Sequence, residues 1–103
     1  MELLNRVNGE WMFFSNNTHV LVCILGNPRM TMREMAIRIG ITERAVQRIV
    51  TRLIESEVLT VEKDGLRNQY TIDLSQQLRH PLESHRTIGE FLKLIGTEGL
   101  DYE

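Results

Sequence analysis

A chain of 103 residues with 42% apolar and 25% charged residues has the size and make-up of one soluble globular domain, able to bury a core without disulfide or metal staples. No run of eighteen apolar residues occurs, so the sequence holds no membrane-spanning helix. Cys23 has no second cysteine to pair with, and the acidic start Met1-Glu2-Leu3-Leu4 does not read as a secretory signal, so the expected location is the reducing cytoplasm.

The net charge of −2 speaks against a general polyanion binder, but the charges are unevenly spread. Between residues 29 and 52 every basic residue is an arginine (Arg29, Arg33, Arg38, Arg44, Arg48, Arg52), opposed only by Glu34 and Glu43. Most of the acidic residues follow position 52. A basic island in an acidic chain points to one anionic partner met on one face, and arginine is the side chain suited to phosphate and guanine.

In chain order, Trp11-Met12-Phe13-Phe14 is expected to form a strand or extended segment, and Ser15-Asn16-Asn17 supplies candidate N-caps for a largely buried helix through Val20, Leu21, Cys23, Ile24 and Leu25. Gly26-Asn27-Pro28 stops it. Thr31 with Glu34 reads as a capping box opening a second helix, whose inner side is Met35, Ala36 and Ile39 and whose end is Gly40. Thr42 is the cap expected for a third helix, 42–55, with Ala45, Val46, Ile49, Val50 and Leu53 as its apolar stripe. Leu59-Thr60-Val61 and Tyr70-Thr71-Ile72 alternate around Asp64-Gly65, a hairpin signature. Ile88, Phe91, Leu92 and Ile95 mark a last helix, placed between residues 80 and 96, with a frayed tail beyond Gly96 and Gly99.

Strand, three helices, hairpin and helix make the winged helix-turn-helix arrangement: a mainly α (α+β) fold with a three-helix core, a two-stranded wing and a C-terminal dimerisation helix. The expected organisation is one domain over residues 1–103, with residues 11–76 as the DNA-binding core. Ala36 permits close helix approach, Gly40 permits the sharp turn, and Val46 and Ile49 dock the third helix on the second. The third helix is then the recognition helix, entering a major groove by its N-terminal half. Glu43, Arg44, Gln47, Arg48 and Thr51 lie on its outward side, where arginine grips guanine and glutamine grips adenine. Thr42 and Arg52 are nearer the phosphates, as is Arg33 on the preceding helix. In the wing, Lys63, Arg67 and Asn68 sit near the hairpin tip, within reach of a flanking phosphate or the minor groove.

The runs Thr31-Met32-Arg33-Glu34-Met35-Ala36 and Gly40-Ile41-Thr42-Glu43-Arg44-Ala45-Val46 resemble the MarR/ArsR-like winged helix-turn-helix regulators of prokaryotes. Trp11 to Asn16, Gly65-Leu66-Arg67-Asn68-Gln69-Tyr70 and Leu78-Arg79-His80-Pro81-Leu82 are similar to a small subgroup among them. The resemblance spans roughly residues 11 to 95 and implies a transcription regulator that binds double-stranded DNA as a homodimer, without specifying operator or small-molecule effector. Two departures stand out. Glu57 stands where relatives usually carry glycine after the recognition helix, so a different helix ending is expected; Leu66 replaces one arginine of the usual wing sequence.

The last helix exceeds what a minimal winged helix needs. Its apolar residues Ile88, Phe91, Leu92, Leu94 and Ile95 are therefore assigned to a dimer interface, with Gly89 permitting close helix approach and Leu3 to Phe14 as a possible second contribution. Cys23 reads as a small buried hydrophobe, and His19 as a surface residue. His80, Glu83 and His85 are poorly spaced for a shared metal, so no metal ligand and no cofactor is assigned. No catalytic constellation is present, and an enzyme is not expected. Two readings compete with the leading one: a winged helix serving as a protein-interaction module, favoured by the acidic balance, and an effector- or metal-responsive sensor of the same fold.

Overall fold

Four helices and one hairpin follow each other in the computed structural model, which describes residues 11–101. The helices are α1 (Asn16–Gly26), α2 (Met32–Ile39), α3 (Glu43–Glu55) and, after strands β1 (Leu59–Asp64) and β2 (Arg67–Ile72), α4 (Ile88–Ile95). A short 3-10 turn, Glu98–Asp101, closes the described chain.

The helix boundaries come from local chemistry. The Thr31 side chain accepts from the Glu34 amide while the Glu34 carboxylate accepts from the Thr31 amide, so the capping box is complete. Gly40 ends α2 in the left-handed region at φ 87°. Two residues later the Thr42 hydroxyl accepts from the Ala45 amide and starts α3. That short connection sets α2 and α3 as a helix-turn-helix. Val20, Met35, Val46 and Val50 meet in a shared core with Ile24, Leu59 and Leu92.

The wing is an antiparallel pair from Leu59↔Ile72 to Asp64↔Arg67. The turn residues are thus Gly65 and Leu66, one position later than the Asp64-Gly65 pair expected from sequence. Only Gly65 has positive φ, 69°, which is the type II′ pattern and matches the right-handed twist of the strands. The wing is anchored at its base, by buried Leu59 and Tyr70, and by the Tyr70 amide donating to the Pro28 carbonyl.

Several expectations are corrected. Trp11 to Phe14 is not a strand: the segment bends, and its aromatic rings pack edge-on in series, Trp11 on Phe13, Phe13 on Phe14, and Phe14 on Phe91 of α4. The part of the N-terminal segment before Trp11 lies outside the described residues. Ser15 is the N-cap of α1 by position but makes no side-chain cap bond; Asn16 Oδ1 instead accepts from His19 Nδ1 at 2.9 Å, and His19 is half-buried. The last helix does not extend over 80–96. Residues 81–85 form turns, and α4 begins at Ile88 with a second complete capping box, Thr87 with Glu90. The tail is docked, because Leu100 packs on the core and its carbonyl accepts from the Arg38 guanidinium.

The end of α3 is the sharpest correction. Glu57 does adopt the left-handed conformation, φ 65°. Its amide donates to the Ile54 carbonyl and the Val58 amide to the Leu53 carbonyl, the paired bonds of a Schellman ending. The helix ends as it would with glycine, at a cost of about 1 kcal/mol in Cβ strain.

Candidate nucleic-acid interface

α3 is strongly two-sided. Val46, Ile49 and Val50 are buried against the core, while Glu43, Arg44, Gln47, Arg48, Thr51 and Arg52 are all exposed. The spacing of 3.6 residues per turn leaves the outer row as Arg44, Gln47, Arg48 and Thr51. Glu43 sits in the first turn, where a carboxylate complements the positive helix end. Thr42 is committed to capping.

The arginines divide by what they touch. Among the described residues, the side chains of Arg33, Arg44, Arg48, Arg52 and Lys63 make no hydrogen bond or ion pair. The others are engaged. Arg29 Nε lies 3.3 Å from Asp64 Oδ2 and its guanidinium also donates to the Asp64 carbonyl. Arg67 Nη1 donates to the Arg29 carbonyl at 3.0 Å and to Glu34 Oε1 at 3.2 Å. Asn68 Nδ2 donates to the hydroxyl of buried Tyr70. Of the three wing residues expected to face outward, two are turned back onto the chain and Lys63 alone is free. Leu66, at the tip, is 100% exposed.

Sequence reasoning missed the groups that hold the far end of α3. Gln76 Nε2 donates to the Glu57 carbonyl, and Arg79 donates to the Ser56 carbonyl and to Gln76 Oε1. These orphan carbonyls at a helix C-terminus favour a cation. The Gln76 carbonyl accepts in turn from the Ile88 amide, so one linker residue joins the end of α3 to the start of α4. Arg79 lies 23 residues from Ser56, a pairing that no local pattern announces.

The five residues assigned to a dimer interface are not brought together on one surface. Ile88 and Leu92 are 7% and 1% exposed and belong to the chain's own core. Phe91 and Ile95 are half-buried, and Leu94 is 86% exposed. Gly89 serves a contact within the chain, because a Cβ there would stand 2.8 Å from the Leu74 carbonyl oxygen.

Burial pushes the Cys23 thiol up to about 11, against a smaller opposing pull from Arg38, so it stays protonated. His80 Nδ1 accepts from the Leu82 amide, a turn-stabilising role. Among the described residues no group of three His, Cys, Asp or Glu side chains could hold a metal ion, and no helix is long and apolar enough to cross a membrane.

Residues 16–60 match a protein-family model described as winged helix-turn-helix DNA-binding. Over that stretch, a little under half of the chain, the sequence is similar to winged helix-turn-helix DNA-binding domains. The match contains the whole of α1, α2 and α3 and stops at Thr60, just inside the first strand of the wing. The crystal structure of the PcaV transcriptional regulator from Streptomyces coelicolor, in complex with its natural ligand, is similar over 90% of this chain and 67% of that chain. Its TM-score is 0.52 at 20% sequence identity, a likeness of fold. A comparison with curated proteins returned no match.

Proposed function

We propose that this winged helix is a transcription regulator that binds double-stranded DNA sequence-specifically as a homodimer. The observation that carries the reading is the outer face of α3, where Arg44, Gln47, Arg48 and Arg52 stand exposed and without side-chain partners, opposite a face fixed in the core. An exposed arginine row with no carboxylate to neutralise it is matched by a polyanion. Arg44, Gln47 and Arg48 read base edges in a major groove; Thr51 and Glu43 adjoin them, and Arg52, Arg33 and Lys63 meet phosphates.

The dimer is assembled from what α4 leaves outside the core. Leu94, with the exposed edges of Trp11 and Phe13 that continue the ring series from Phe91, forms apolar surface in want of cover. Two copies related by a two-fold axis read two half-sites of an imperfect palindrome. Repression by occupying a promoter is the simplest outcome for a protein whose DNA-reading face covers the site it binds. Lower transcript levels at the bound promoter after gene deletion would overturn the repressor assignment.

The deciding experiment is selection of bound duplexes from a random DNA pool at near-physiological salt. Enrichment of a two-fold symmetric site is expected. If the folded protein enriches no sequence, the reading fails, and a protein partner for the same face becomes the better account.

A further inference from the structure

We infer that Arg67 is a positioning residue, a strut that sets the angle of the wing against α2, and that it makes no phosphate contact itself. The inference rests on the DNA-binding reading for its functional consequence, but its geometry stands within the free chain.

Four charged side chains form the brace. Arg67, the first residue of β2, reaches back to the Arg29 carbonyl and to Glu34 Oε1 in the first turn of α2. Arg29, just before α2, reaches forward to Asp64, the last residue of β1. Both strands are thus held at the tip end of the hairpin, one by each arginine, and both holds converge on the few residues that open the helix-turn-helix. Glu34 Oε1 also accepts from the Thr31 amide at 2.8 Å, so its position is set by the capping box before Arg67 arrives. The Thr31 amide bond, with Arg67 adding to it, holds the Glu34 carboxyl below its usual range, so it is ionised at neutral pH.

The pairing matters because little else fixes the outer half of the wing. β1 is buried only at Leu59, and its remaining residues are exposed. A two-stranded hairpin standing in water is weakly held by its own bonds. Each exposed ion pair is individually weak, but two arginines bonded to backbone carbonyls as well as to carboxylates restrict the hairpin in direction. The Arg67 guanidinium keeps its charge, but with the Glu34 carboxylate it forms a neutral pair, and its Nη1 is already committed to a carbonyl and a carboxylate, so it adds little net attraction for a phosphate. The wing's unpaired cation for a polyanion is therefore Lys63, which has no side-chain partner among the described residues.

The experiment measures affinity for the selected duplex over a salt series, alongside amide exchange of wing residues 62–69 in the free protein. Lys63→Ala is expected to flatten the slope of log affinity against log salt by about 0.9, the loss of one phosphate contact. Arg67→Ala is expected to weaken binding with the slope unchanged and to speed exchange in the wing. Glu34→Gln keeps a capping box, since glutamine serves at that position, and removes only the charge. It should reproduce part of the Arg67→Ala effect and add nothing to it in the double variant. The strut is overturned if Arg67→Ala flattens the salt slope by the same amount as Lys63→Ala, if Glu34→Gln tightens binding by releasing Arg67, or if wing exchange does not change. A wild-type protein that binds no duplex overturns the DNA-binding reading instead, and the exchange measurement separates that failure from failure of the strut.

Discussion

α3 and the wing carry the same kinds of polar residue and use them in opposite ways. On α3 the apolar stripe goes inward and the arginines go outward untouched. In the wing, Arg67 and Asn68 fold back to bond the chain, and the apolar Leu66 is what stands in solvent. The difference follows from anchorage. A helix with Val46, Ile49 and Val50 in the core has its orientation set by burial, so its outer side chains are free for a partner. A hairpin buried only at its base must take polar side chains for its own support. Residue type alone therefore does not identify a DNA contact; what else the side chain is already holding decides it.

The comparison is broken most severely from inside α3. Ile49→Ala removes a buried anchor and should cost about 2–5 kcal/mol of unfolding free energy, visible in a denaturant titration. The same experiment on Gly65→Ala at the wing tip should show about 1–2 kcal/mol, because no atom lies within 4 Å of the added methyl and only the positive φ resists it. Equal losses would mean that the wing is as firmly built into the core as α3.

On the outer face of α3, Arg48→Ala should leave stability unchanged while costing about 1–3 kcal/mol of binding and relaxing preference at one base position. Intact affinity and preference in that variant would remove α3 from the role of recognition helix. At the far end of α3, Glu57→Gly relieves the left-handed strain and should raise stability by about 1 kcal/mol in thermal unfolding. No gain there would show that the backbone freedom glycine adds to the unfolded chain offsets the relieved strain.

What could be read from the sequence was mostly local. Thr31 with Glu34, Thr42 and Gly40 act within a few residues of themselves, so their spacing carries the information, and the helical periods of α2 and α3 followed directly. The same four-residue signature is present in Thr87 to Glu90 and would have placed the start of α4 at Ile88 rather than near 80. Trp11 to Phe14 shows the limit of pattern: β-prone residues become a strand only if another strand is there to pair, and here rings of α4 and the segment itself take that place. The roles of Arg67, Arg79 and Leu100 depend on partners 38, 23 and 62 residues away, beyond any periodicity. An apolar stripe such as Ile88 and Leu92 reads the same whether it is buried within the chain or at a partner's surface, and only the packed core separates the two.

The smallest expected effect sharpens the comparison through pH. The Glu34 carboxyl is held below its ordinary 4.5, first by the Thr31 amide and then by Arg67. A carboxyl with a lowered folded-state pKa stabilises the fold fully above its ordinary value, and that contribution disappears as pH falls through the lowered one. Asp73 and Glu90 are lowered in the same direction by Ser75 and Thr87 amides and hydroxyls, so overall acid sensitivity has several sources and a single stability curve does not isolate Glu34. The wing narrows the source to the brace, whose carboxylates are Glu34 and Asp64, because Asp73 and Glu90 lie outside the hairpin. Acidification below about pH 4.5 should loosen exchange-protected amides near the wing tip while those of α3, which depend on burial, stay protected. Glu34→Gln should already show a looser wing at neutral pH and a smaller further loosening through that window, the remainder coming from the Arg29–Asp64 pair. If α3 and the wing lose protection together in the wild type, the brace is not a separate element and the two regions open as one unit.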